Sequence, residues 1–129
     1  MSAVPRSTPL RMLIVDDSNI MRRRIERCQS IPQLEVVGSA SNGVDALELF
    51  CKTDPDVVTM DITMPHMDGI ECVERIVSIK PSVLILVISA LADKATAVEA
   101  MEKGANGFLN KPFSDRQLND ALEELLGKA

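Results

Sequence analysis

Asp16, Asp17, Asp61, Ser89 and Lys111 are the residues of this sequence whose types and spacing could do chemistry together, because each stands where a short apolar run stops. Asp61 is the sharpest case. The run Val57-Val58-Thr59-Met60, opened by Pro55 and Asp56, reads as a buried strand, and Pro65 and Gly69 forbid it from continuing. Asp61 therefore falls at the strand's carboxyl end, where open parallel sheets bind ligands. A carboxylate there is costly to keep ionised without a cation or hydrogen-bond donors. If the fold gathers three carboxylates, they repel unless a cation sits among them. Oxygen donors without His or Cys select a hard ion, Mg²⁺ or Mn²⁺, over Zn²⁺. A lysine and a hydroxyl opposite would complete a cradle for a phosphoryl group. Asp61 is the group able to attack it, through an acyl phosphate.

The elements that must position these residues are legible in order. Leu10 to Val15 is a first strand, ended by Asp16-Asp17-Ser18. Ser18 or Asp17 can cap the helix that follows, on which Ile20, Met21, Ile25 and Cys28 share one face. Arg22, Arg23, Arg24 and Arg27 take the others, as a solvated face that could also steer an acidic partner. Leu34 to Ala40 is a second strand, and Asn42-Gly43 turns into a helix with Ala46, Leu47 and Phe50 inward. After Asp61, Asp68-Gly69 is a capping turn for a helix to Lys80 carrying Ile70, Val73 and Val77, which Pro81 stops. Val83 to Ile88 has the continuous apolar pattern of a strand covered on both faces. A weakly amphipathic helix over about 94–103 offers only Val98 and Met101, with Gly104 as its terminator. Gly107 to Asn110 is a short fifth strand, and Ser114 caps a last helix with Leu118, Ala121, Leu122 and Leu125 on one face. Five strands alternating with five helices imply a doubly wound parallel α/β sheet.

Composition narrows the function. The 129 residues suit one domain, expected over 10–129 behind a loose leader at 1–9, with a core that is aliphatic because only 2% of the chain is aromatic. A net charge of -5 argues against nucleic acid as partner. No apolar run approaches the roughly 20 residues needed to cross a bilayer, and no signal peptide is evident, so the cytoplasm is the expected compartment. Cys28, Cys51 and Cys72 form no CxxC pair and read as buried, inert thiols. His66, the sole histidine, reads as an exposed loop residue.

The motifs Leu13-Ile14-Val15-Asp16-Asp17-Ser18, Met60-Asp61-Ile62-Thr63-Met64-Pro65, Ile88-Ser89-Ala90 and Lys111-Pro112-Phe113 together resemble the receiver domain of two-component response regulators, over Leu10 to Leu126. In its stand-alone form it resembles the CheY-like chemotaxis regulators. Two other phosphate-handling families fit less well. A flavodoxin wants a Ser/Thr/Gly-rich phosphate loop where this chain has Asp16-Asp17-Ser18-Asn19, and a dehalogenase-type Mg²⁺ phosphatase separates its first two Asp by one residue.

The resemblance implies a flavodoxin-like sheet of order 2-1-3-4-5. Asp61 becomes the phosphoacceptor for a histidine kinase or histidine phosphotransfer protein. Asp16, Asp17, Asp61 and the backbone carbonyl of Thr63 would hold Mg²⁺, or Mn²⁺ in its place. Ser89 and Lys111 would contact the phosphoryl oxygens, the Lys111-Pro112 bond would be cis, and Ser89 and Phe108 would form the switch. The protein would be a monomer that catalyses only its own phosphorylation and dephosphorylation. It would bind a downstream protein through its fourth helix, fifth strand and fifth helix, without nucleic acid or membrane. A receiver excised from a methylesterase or transcription factor, or a Mg²⁺-dependent phosphatase-like enzyme, is the alternative. Thr63 and Leu91 stand where relatives carry groups that orient the hydrolytic water, which implies a long-lived acyl phosphate.

Overall fold

The computed structural model describes residues 9–62, 68–90 and 94–128. Strands β1 (Leu10–Val15), β2 (Leu34–Ala40), β3 (Val57–Met60), β4 (Leu84–Ser89) and β5 (Gly107–Asn110) alternate with helices α1 (Asn19–Cys28), α2 (Gly43–Thr53), α3 (Gly69–Ile79), α4 (Lys94–Glu102) and α5 (Asp115–Leu126). All strand pairs are parallel, in the order β2-β1-β3-β4-β5, so the doubly wound α/β expectation holds. Because successive strand residues face opposite ways, the sheet divides the core in two. Leu13, Val15, Val58, Met60, Ile85 and Val87 meet Phe50 of α2 and Val73 and Ile76 of α3. Met12, Ile14, Val57, Leu86 and Ile88 meet Ile25 of α1 and Leu118, Leu122 and Leu125 of α5. Every residue of β4 is buried, as its unbroken apolar run requires.

Side-chain caps fix where the helices start, and so how tightly each strand end is turned. Ser18, not Asp17, caps α1, its Oγ accepting from the Met21 N–H at 3.2 Å, which leaves both aspartates outside the helix. Asp68 caps α3 in the same way, accepting from Glu71 N–H at 2.8 Å. Ser114 and Gln117 close a reciprocal capping box on α5. Gly104, with φ of 117°, occupies the left-handed conformation that ends α4.

Three expectations need correction. Ile20 is 79% exposed, and the face of α1 that meets the core is carried by Met21, Ile25 and Cys28. Val98 and Met101 do not anchor α4: both are exposed, and the residue buried from this helix is Ala100, whose small side chain fits the layer beside Ala105. Of the cysteines only Cys72 is buried, Cys28 being half-buried and Cys51 exposed. No helix among the described residues is long and apolar enough to cross a membrane.

Candidate functional site

Backbone hydrogen bonds carry the sheet one residue past each strand and so place the site. Asp16 N–H donates to the Ala40 carbonyl at 3.1 Å, Asp61 N–H to Val15 at 2.9 Å, and Lys111 N–H to Ser89 at 2.9 Å. Residues far apart in sequence thereby meet along one edge. Asp16 and Asp61 are buried at 1% and 2% exposure, Ser89 is fully buried, and Asp17 is exposed. One carboxylate oxygen from each of Asp16, Asp17 and Asp61 lies within 4.8 Å of the others.

Lys111 supplies the cation of this cluster. Its Nζ lies 2.7 Å from Asp16 Oδ2 and 3.9 Å from Asp61 Oδ2. Asp16 is further held by the Ser18 N–H, which donates to Oδ1 at 2.9 Å, and by Arg22, whose Nη1 donates to the Asp16 carbonyl at 2.7 Å. One ammonium against three carboxylates leaves an excess of negative charge on oxygen donors alone. That donor set fits a hard divalent cation such as Mg²⁺ and does not fit Zn²⁺. Asp16, Asp17 and Asp61 are the residues that would hold it.

The structure thus brings together Asp16, Asp17, Asp61 and Lys111, with Ser89 at the neighbouring strand end. Thr63, His66 and Leu91, singled out from the sequence, lie outside the described residues. Phe108 is half-buried on β5 and packs against the α2–α3 side of the core. The Lys111-Pro112 peptide is cis, as expected.

Two residues went unread. Arg22 and Arg24 looked like members of a solvated face, but only Arg23 and Arg27 are exposed. Arg22 braces the Asp16 carbonyl, and Arg24 binds the segment after Lys111. Nothing in the spacing of four arginines on one helix marks which of them turn inward.

Residues 12–123 match the response regulator receiver domain. The chain is 40% identical over 115 residues to the chemotaxis protein CheY of Listeria monocytogenes, covering 89% of this chain and 97% of that protein. It is 47% identical over 120 residues to a protein-glutamate methylesterase/protein-glutamine glutaminase of Halalkalibacterium halodurans, covering 91% of this chain but 35% of that protein. Among solved structures, the CheX-CheY-BeF3-Mg complex of Borrelia burgdorferi includes a similar chain, with a TM-score of 0.87 and 28% identity over 92% of this chain and 90% of that one. With the fold, the strand-end acidic cluster and these similarities in agreement, this chain belongs to the response regulator receiver domain family.

Proposed function

We propose that this receiver is a Mg²⁺-dependent phosphorylation switch in which Asp61 accepts a phosphoryl group from a histidine kinase or histidine phosphotransfer protein. The modified form then binds a protein target through α4, β5 and α5. The observation that carries this reading is the clustering of one oxygen each from Asp16, Asp17 and Asp61 at one sheet edge, with the Lys111 ammonium set against Asp16 and Asp61. In the transfer, an Asp61 oxygen forms the new bond to phosphorus. The bond from phosphorus to the donor's imidazole nitrogen breaks, and its electron pair stays on that nitrogen. Asp16, Asp17 and Asp61 would hold the metal, and Lys111 would move from Asp16 to the incoming oxygens. The chemistry Mg²⁺ would supply there is neutralisation of the charge that builds up on the oxygens during transfer.

The acyl phosphate brings nearly two negative charges, and the Ser89 hydroxyl can donate to it. A charge-assisted hydrogen bond of about 1.5 to 3 kcal/mol biases a two-state loop by about tenfold to a hundredfold. A rotation of Phe108 then passes the change to the α4–β5–α5 face. The whole of 10–129 acts as one unit, as a monomer in the cytoplasm, with no chemistry beyond its own phosphorylation and dephosphorylation. Its similarity to a methylesterase over about a third of that protein favours one second reading, a receiver that regulates an attached domain. Beryllofluoride added with Mg²⁺ tests the switch. Chemical shifts at Ser89, Ala90, α4 and Phe108 should change together, and unchanged shifts in α4 and at Phe108 would reject the coupling.

A further inference from the structure

Arg24 lies in the middle of α1, yet its side chain serves the segment that follows Lys111. The guanidinium sits over the Phe113 ring, 4.6 Å from its centroid, and its Nη2 donates to the Phe113 carbonyl. The same nitrogen lies 3.7 Å from the Asp115 carboxylate. Phe113 in turn is buried in the apolar layer shared by α1, α5 and the sheet. A planar guanidinium can stack and donate at once, which an ammonium does poorly.

Lys111 is therefore suspended between two ties. Its own N–H is fixed to the Ser89 carbonyl at 2.9 Å, and two residues later the Phe113 carbonyl is fixed to Arg24. Between these ties its Nζ reaches Asp16. We infer that Arg24 is a positioning residue for Lys111: from α1 it holds the Lys111–Phe113 corner, and so sets where the ammonium meets Asp16, Asp61 and an incoming phosphoryl group. The last of these rests on the phosphoacceptor reading above. Arg24 touches no reacting atom. Because a misplacement of about 1 Å can slow a reaction by about a hundredfold, a loosened corner is felt in phosphoryl transfer. Mg²⁺ binding moves the other way, since the Lys111 ammonium repels a divalent cation at the same carboxylates.

The competing account is that Arg24 merely staples α1 to α5. Asn119 provides the control. It joins the same two helices at the C-terminal end of α1, donating to the Cys28 carbonyl at 3.0 Å and, within α5, to the Asp115 carbonyl at 2.9 Å, and accepting from Ser30 N–H at 2.7 Å, with no hydrogen bond to Lys111, Pro112 or Phe113 among the described residues. The experiment compares the full chain with Arg24→Met, Arg24→Lys and Asn119→Ala. It reads the initial rate of labelling by acetyl phosphate in saturating Mg²⁺, the Mg²⁺ affinity by titration, and the urea midpoint. Arg24→Met should label about tenfold to a hundredfold more slowly while binding Mg²⁺ no more weakly than the wild type, and Arg24→Lys should recover part of the rate. Asn119→Ala should lower the urea midpoint and label within about twofold of the wild type. Should Arg24→Met not fold, Arg24→Lys carries the test, its slower labelling supporting the inference. Wild-type rates in the Arg24 variants, or equal slowing in Asn119→Ala, would overturn it. A wild-type chain that does not label at all would overturn the acceptor reading, and this inference with it.

Discussion

Gly69 packs its Cα directly against the backbone of Asp61. A methyl group at that position would lie 2.9 Å from the Asp61 carbonyl carbon, and closer still to the carbonyl oxygen and to the Ile62 Cα. The Gly69 N–H also donates to the Ile62 carbonyl at 3.1 Å, so the first residue of α3 is seated on the strand end that carries Asp61. Backbone cannot swing aside as a flexible side chain can. Gly69→Ala should therefore destabilise the protein by about 3 kcal/mol, the upper range for overpacking, and displace Asp61. Urea denaturation measures the first effect, and an unchanged midpoint would contradict the account of this contact.

Thr59 lies two residues before Asp61, between Ile14 of β1 and Leu86 of β4. Its hydroxyl is buried and, among the described residues, has no hydrogen-bond partner. An unsatisfied buried hydroxyl costs about 1 to 3 kcal/mol, so Thr59→Val should stabilise the fold by about 1 kcal/mol. A lower urea midpoint for the variant would show that the hydroxyl is satisfied after all.

Cys72 gives the fold an alkaline limit. Burial, reinforced by the Glu71 charge and partly opposed by Arg75, pushes its thiol from the ordinary 9.0 up to about 12. Between those values the unfolded chain has lost the proton and the folded chain still holds it, so the unfolded state is favoured as pH rises. The stability present below about pH 9 should fall by about 1.4 kcal/mol per pH unit toward pH 12. Denaturation midpoints across this window should flatten in Cys72→Ala. An equally steep fall in that variant would assign the limit to other groups.

Most of the fold was legible because strands that end abruptly are punctuated by Asp, Ser, Pro and Gly. The bounds expected for β1, β2 and β5 are those observed. The site was legible for the same reason, since Asp16, Asp61 and Lys111 each follow a strand and a doubly wound sheet gathers strand ends at one edge. What hydrophobic periodicity could not supply is the depth at which a helix sits. On α4 it favoured the large Val98 and Met101, whereas close approach to the sheet selects the small Ala100. Nor could it mark Gly69 or Arg24, whose roles arise from tertiary contacts with Asp61 and Phe113.

The lifetime of the acyl phosphate should depend on Thr63 and Leu91, two positions beyond the acceptor and the hydroxyl. A leucine side chain offers no hydrogen bond and a threonine is short and branched, so a water attacking the phosphorus should be poorly oriented. Self-dephosphorylation should be about tenfold slower than with Asn and Glu there, or about 1.4 kcal/mol of lost transition-state stabilisation. Thr63→Asn combined with Leu91→Glu should speed the decay in Mg²⁺ buffer, and an unchanged or slower decay would reject the idea.

Asp61 should accept the phosphoryl group only when a metal is bound beside it. Intact-mass measurement after incubation with acetyl phosphate and Mg²⁺ tests this most directly. The wild-type chain should gain one phosphoryl group and lose that gain when the metal is chelated, and folded Asp61→Asn should gain none. Labelling of Asp61→Asn to the wild-type stoichiometry would contradict the account.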